Sequence, residues 1–162
     1  MFEVILVIVT GTMVALIGGL FFAFSVAING ALHRLKDSEY IRAMQWINRI
    51  IERNGLFLLC FMAPIALLPL TVFLYGGGLG STQFTLLAGS AVAYLVGPIG
   101  VTFGGNIPLN MRLDRFDVDG SSADDSAKTR GWYEMPWNRL HTIRTVLGAI
   151  SIVLFLWSLM AR

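Results

Sequence analysis

Trp137, His141, Arg144 and Thr145 stand four, seven and eight residues along from one another's start, so on a helix they share one face, with Asn138 beside it. An imidazole, a guanidinium, an amide and an indole gathered in this way suit one kind of chemistry. The imidazole can take a proton near neutral pH, and the guanidinium and amide can hold the anion left behind. An uninterrupted apolar run, Val146 to Met160, follows at once. The cluster therefore lies at the mouth of a membrane-crossing helix, where ionisable groups are costly unless they face protein or water. The plainer reading is that Trp137 and Arg144 anchor that helix among lipid headgroups.

Other polar residues are candidates for the same place. Asn106 and Asn110, in Gly104-Gly-Asn-Ile-Pro-Leu-Asn110, are one turn apart if the helix persists through Pro108. Their amides either meet the cluster or satisfy backbone groups that glycine and proline set free. Gln45 and Asn48, three apart, either point into the end of a bundle or lie on a solvated face. Rival chemistries fit less well: no thiol has a histidine partner, no glycine-rich phosphate loop follows a strand, and the spans lack paired carboxylates. His33 and His141 both fall near one membrane boundary and could in principle ligate a metal or haem. Two histidines without a supporting spacing motif do not define such a site, so no metal or cofactor is assigned. The non-catalytic alternative is a membrane protein that binds or transports a small lipophilic molecule with the same groups.

The elements that must position these residues are legible from hydropathy. Of 162 residues 56% are hydrophobic and only 14% charged, well below the roughly one quarter charged in soluble domains, which marks a membrane protein. Apolar runs predict spans at about 4–32, 56–75, 84–103 and 140–160, hence an all-α, integral membrane four-helix transmembrane bundle forming a single domain, 1–162. Residues 33–54 read as an amphipathic helix at the surface or as a continuation of a span. Asp114 to Arg130 reads as a solvated loop, and the last helix is expected to begin near Pro136. Five Lys or Arg fall in 33–54 and six in 111–145, out of twelve. The positive-inside rule then makes segments 33–54 and 111–139 cytoplasmic and puts both termini outside. Even-side connections bring Gln45, Asn48, Asn106, Asn110, Asn138, His141 and Arg144 to one end of the bundle. The net charge of +2 does not suggest nucleic acid, and the lone Cys60 forms no intrachain disulfide. Small residues every four positions, at Gly11, Ala15 and Gly19 and at Gly89, Ala93 and Gly97, followed by Gly100 and Gly104, predict close helix packing. That packing is either within the chain or between copies, and the strip on the third span is expected to support a homo-oligomer.

Five segments taken in order, Phe22-Ala-Phe-Ser25, Ala43-Met-Gln-Trp-Ile-Asn48, Tyr94-Leu-Val-Gly97 with Val101-Thr102, Asn106-Ile-Pro-Leu-Asn110 and Trp137-Asn-Arg-Leu-His-Thr-Ile-Arg-Thr145, resemble the anthrone oxygenase-like family of small four-helix membrane proteins. The resemblance covers nearly the whole chain. It departs at Asn29-Gly30 and Asn54-Gly55, where the family pattern would place Met-Pro and Asn-Pro; both changes fall at helix ends. The resemblance implies a cofactor-independent oxygenase that uses dioxygen on an anthrone-type or other hydroxylated aromatic. The positions matching its polar residues are Asn48, Asn106, Asn110, Trp137, Asn138, His141 and Arg144. His141 is then expected to take the proton, with Arg144 and the amides holding the oxyanion.

Overall fold

A computed structural model describes residues 1–161, leaving Arg162 outside the described residues. Five helices make up most of the chain: α1 (Phe2–His33), α2 (Asp37–Arg53), α3 (Gly55–Gly76), α4 (Ser81–Asp114) and α5 (Ala123–Met160). No strand occurs among the described residues. Helices α1, α3, α4 and α5 are each long and apolar enough to cross a membrane, and the chain is an all-α, multi-pass membrane protein. Its outer surface carries Phe22, Val26, Phe73, Val92, Val153 and Leu156, exposed side chains that water would reject and lipid accepts.

Between apolar helices in lipid there is little hydrophobic drive, so close packing and buried hydrogen bonds must hold the bundle. Both are present. Thr10 Oγ1 lies 3.1 Å from Thr71 Oγ1 between α1 and α3. Ser90 and Ser151 exchange hydroxyl-to-carbonyl bonds of 2.8 and 2.9 Å between α4 and α5. The glycines of α4 receive leucines of α5: Gly89 meets Leu154, Gly97 meets Leu147 and Gly105 meets Leu140. The leucines recur every seven residues and the glycines every eight, and the order is antiparallel. Residues 95–106 of α4 form a wide π-helical stretch containing Pro98, which has no N–H to give the Tyr94 carbonyl an α-helical partner. That widening absorbs the extra residue between Gly97 and Gly105.

Part of the glycine strip is used within the chain. The strip Gly89, Ala93, Gly97 serves the α4–α5 contact within the chain, because an α-helix can approach α4 closely only where no Cβ stands in the way. Gly104 faces open space. A Cβ added at Gly97 would overlap the Leu147 side chain. Gly97→Ala is therefore expected to lower stability by about 1–3 kcal/mol through overpacking. Gly104→Ala is expected to be neutral or to stabilise by up to about 1 kcal/mol through helix propensity. Thermal unfolding of the two variants in detergent checks the contrast.

Two expectations change. Helix α5 starts at Ala123 and not near Pro136, so much of the supposed loop is helical. Ser122 Oγ accepts from Asp125 N at 3.2 Å, and Asp124 and Asp125 occupy the positive end of the helix dipole. Pro136 lies in the helix interior, where packing of Tyr133 and Trp137, both buried, offsets the lost backbone bond.

Helix α2 is amphipathic and lies across one end of the bundle, chiefly against α5. It buries Tyr40, Ile41, Met44, Gln45 and Asn48. Its outer face is tied down by Arg42–Asp119 and Arg49–Asp114. The Arg42 guanidinium holds the Asp119 carboxyl below the usual carboxylate range. Arg130 of α5 donates to the carbonyls of His33 and Leu35, both at 2.8 Å, and so caps the end of α1. Helix α3 packs on α4 as far as Tyr94 but parts from the π-helical stretch beyond it. That divergence, roofed by α2, makes room for a cavity.

Candidate active site

The cavity has a volume of about 370 Å³, within the roughly 300–1,000 Å³ range of small-molecule sites. All five helices line it. Leu20, Phe21 and Phe24 come from α1, Ile47, Asn48, Ile51 and Glu52 from α2, and Phe57, Leu58, Phe61 and Met62 from α3. Thr102, Phe103, Ile107 and Asn110 come from α4, and Trp137 and Arg144 from α5. The walls are thus mainly aromatic and aliphatic, with a small polar set. Phe57 stacks on Phe61 at 5.5 Å, and Phe61 on Phe103 at 6.4 Å, which makes one side a sheet of rings. A flat, apolar ligand fits such walls better than a flexible polar one.

Arg144 is the unusual group in this lining. It is 8% exposed, yet no carboxylate lies within ion-pair distance of it among the described residues. Its neighbours are neutral. Nε and Nη2 donate to His141 Nδ1 at 3.1 and 3.0 Å, and Nη1 donates to Thr102 Oγ1 at 3.0 Å. The guanidinium also lies over the Phe21 ring, 4.3 Å from its centroid. One N–H on each terminal nitrogen is left without a protein acceptor. A buried cation without a counter-ion is costly to keep, and a ligand anion would relieve that cost.

His141 holds this arginine in place. It is 1% exposed and stacks on Trp137 at 5.0 Å with an interplanar angle of 5°. Its Nδ1 accepts from Arg144, and Nε2 lies 3.0 Å from the Phe21 carbonyl. A carbonyl can only accept, so Nε2 carries the proton and Nδ1 the lone pair. Both ring nitrogens are therefore engaged, and His141 does not line the cavity. The Phe21 carbonyl lies just before the π turn at Phe24–Ile28 and also accepts from Ser25 Oγ at 3.1 Å.

The asparagines divide. Asn48 Nδ2 donates to Tyr133 Oη at 3.4 Å, and that hydroxyl donates to Asn110 Oδ1 at 2.9 Å. Asn110 Oδ1 also accepts from Trp137 Nε1 at 2.9 Å. With those partners fixed, Asn48 Oδ1 and Asn110 Nδ2 remain as one acceptor and one donor on the cavity wall. Asn106 is buried behind them, its Nδ2 donating to the Trp137 carbonyl at 3.3 Å, while its Oδ1 has no partner. Gln45 lies apart from the cavity and donates to the carbonyls of Leu113 and Phe116, both at 2.9 Å, fastening α2 to the end of α4. Asn138 lies on a different face of α5, in a surface groove with His33, Arg130 and Glu134. His33 Nδ1 pairs with Glu134 at 2.8 Å, so the two histidines serve different neighbourhoods. Among the described residues no group of three or more His, Cys, Asp or Glu is placed to hold a metal ion.

Three contributors escaped the reading of spacing. Tyr133 stands four residues before Trp137 on the same face and was findable by extending that face backwards. Thr102 stands four before Asn106 and eight before Asn110. Glu52 follows Asn48 by one turn of α2. Nothing in the sequence marks the Phe21 carbonyl.

Comparison with curated proteins gives no match, and neither does comparison with solved structures. The family model described as anthrone oxygenase matches residues 57–154, which takes in nearly all of α3, all of α4 and most of α5 and therefore Thr102, Asn106, Asn110, Trp137, His141 and Arg144. With that match over more than half of its 162 residues, the chain belongs to the anthrone oxygenase family.

Proposed function

We propose that the protein is a membrane-embedded oxygenase that takes a flat, lipophilic, hydroxylated aromatic of the anthrone type and oxidises it with dioxygen. The observation that carries this reading is Arg144, a buried guanidinium without a carboxylate partner on the wall of an aromatic-lined cavity. An anthrone is a weak acid whose conjugate base spreads its charge onto oxygen. Arg144 would hold that oxygen, Asn110 Nδ2 and Asn48 Oδ1 would orient the ring substituents, and Trp137 would form a wall. His141 acts here as a positioning residue that aims the guanidinium, and Asn106 supports Trp137 from behind.

The anion itself supplies the electrons, so the reaction needs no flavin or metal. The methylene carbon loses two hydrogens and gains one oxygen atom of dioxygen as a new carbonyl. The other oxygen atom leaves with those hydrogens as water. Dioxygen uptake and quinone formation by the purified protein, measured against heat-inactivated protein to subtract autoxidation, test the proposal. One dioxygen consumed per quinone above background is expected. Tight binding without uptake would assign the cavity to a carrier or binding protein.

The orientation in the bilayer belongs to the same proposal. Eleven of the twelve basic residues fall in α2, its flanks and the segment 111–145, which supports a cytoplasmic position for that end and for the cavity's polar groups. Cysteines introduced at Ser81 and Ala123 are expected to react differently with an impermeant maleimide applied to intact cells. Labelling at 81 alone agrees with this orientation, and labelling at 123 alone reverses it.

A further inference from the structure

The proposed reaction needs a base, and the histidine first in line is occupied on both nitrogens. Protonating Nδ1 would break the Arg144 bonds and set two cations side by side in a buried site. The lining offers one other ionisable acceptor. Glu52 is the only carboxylate on the cavity wall among the described residues, and it makes no ion pair there although Arg49 and Arg53 are near it in sequence. Arg49 is taken by Asp114 at 2.6 Å and lies near the Trp46 ring.

Its place is also unusual. Beside the apolar cavity lies a smaller, more polar surface pocket, to which Arg49, Asp114 and Arg115 contribute. Asn48, Glu52 and Asn110 line both spaces, so they form the wall between the apolar chamber and a chamber open to water. Glu52 itself is exposed. A carboxylate at such a boundary can meet a ligand on one side and exchange protons with water on the other.

The substrate's own chemistry asks for this division. In an anthrone the acidic methylene and the carbonyl oxygen that receives the charge lie on opposite edges of the central ring. A base and an anion-stabilising group must then stand on different walls, as Glu52 on α2 and Arg144 on α5 do.

We infer that Glu52 is the general base of the reaction and returns the proton to water through the polar pocket. This rests on the oxygenase reading above. The carboxylate oxygen forms an O–H bond as the methylene C–H bond breaks, and the electron pair stays on the ring system and moves towards the oxygen held by Arg144. The anion then forms a C–O bond to dioxygen, the second methylene C–H and the O–O bond break to leave the carbonyl and hydroxide, and the proton that the Glu52 carboxyl returns to water neutralises that hydroxide.

The test uses the full chain in detergent or nanodiscs, with an anthrone as substrate and added formate as a surrogate base. Glu52→Ala is expected to lower kcat by about 100- to 10,000-fold, the usual range for losing a general base. Anthrone affinity should stay within a few-fold of the parent, and formate should restore turnover in proportion to its concentration. Formate should do nothing for the parent. Glu52→Gln, which keeps the shape, should be equally slow and should lose the acid limb of the pH–rate profile. Near-parental turnover in both variants, or a loss that formate does not relieve in protein of unchanged unfolding temperature, overturns the assignment while the oxygenase reading stands. A parent protein with no uptake above background overturns both.

Discussion

Replacing Arg144 with methionine is expected to lower the rate of dioxygen consumption by about 100- to 1,000-fold, the range seen when a preorganised donor to a developing oxyanion is removed. The same change should leave the unfolding temperature within about 5 °C of the parent, a shift that corresponds to about 1–2.5 kcal/mol for a chain of this size. The two effects separate because Arg144 has no carboxylate to strand when it is removed. Methionine fills much of the same space beside Phe21 and Trp137, and removing an uncompensated buried charge offsets the lost bonds to His141 and Thr102. A large drop in stability accompanying the loss of activity would mean that Arg144 holds the bundle together and does not serve a ligand.

The second large effect concerns His141 and follows from its bonds. His141→Ala removes the Nδ1 acceptor shared by Nε and Nη2 of Arg144, so the guanidinium is left aimed by Thr102 alone. Misplacing a reacting or stabilising group by about 1 Å can cost about 100-fold, and a loss of that size in kcat is expected. The shape of the pH–rate profile should not change, because no proton is taken at the ring. The double variant His141→Ala, Arg144→Met should be no slower than Arg144→Met by itself, since residues acting as one unit are strongly non-additive. A general base would behave otherwise: the acid limb of the profile would vanish, and the two losses would combine.

These expectations show where spacing along the chain carries information and where it stops. Four long apolar runs announce four membrane helices, because lipid leaves a chain few other ways to satisfy its backbone. The shared face of Trp137, His141 and Arg144 was legible from the intervals four and seven, and these three side chains do meet. Direction was less legible. Helical spacing put Asn138 close to that face, but one residue's rotation turns it to the groove with His33 and Glu134. The glycines of α4 announced close approach without saying to what, and the partner is the leucine row of α5.

The role of His141 was beyond reach for a different reason. Its state depends on the Phe21 carbonyl, 120 residues away, a backbone acceptor that no residue type in the sequence marks. Glu52 was hidden by its surroundings in sequence. In the charged run from Arg49 to Arg53 it looks like one more solvated group of an amphipathic helix, and only the fold puts it between two pockets. Proline is common in a first helical turn, so spacing suggests a start near Pro136, whereas Pro136 is an interior proline carried by a helix of 38 residues.

At the centre of the account is a single claim, that the apolar cavity is built to hold an anion against Arg144. The most direct measurement compares the affinity of the parent protein for an unreactive polycyclic phenol with its affinity for the methyl ether of the same ring system, above the phenol's pKa. The two ligands share shape and apolar area and differ in charge. The phenolate is expected to bind at least about tenfold more tightly, equivalent to about 1.4 kcal/mol, and Arg144→Met should erase the difference. Equal affinities in the parent, or a preference that survives the loss of Arg144, would contradict the account.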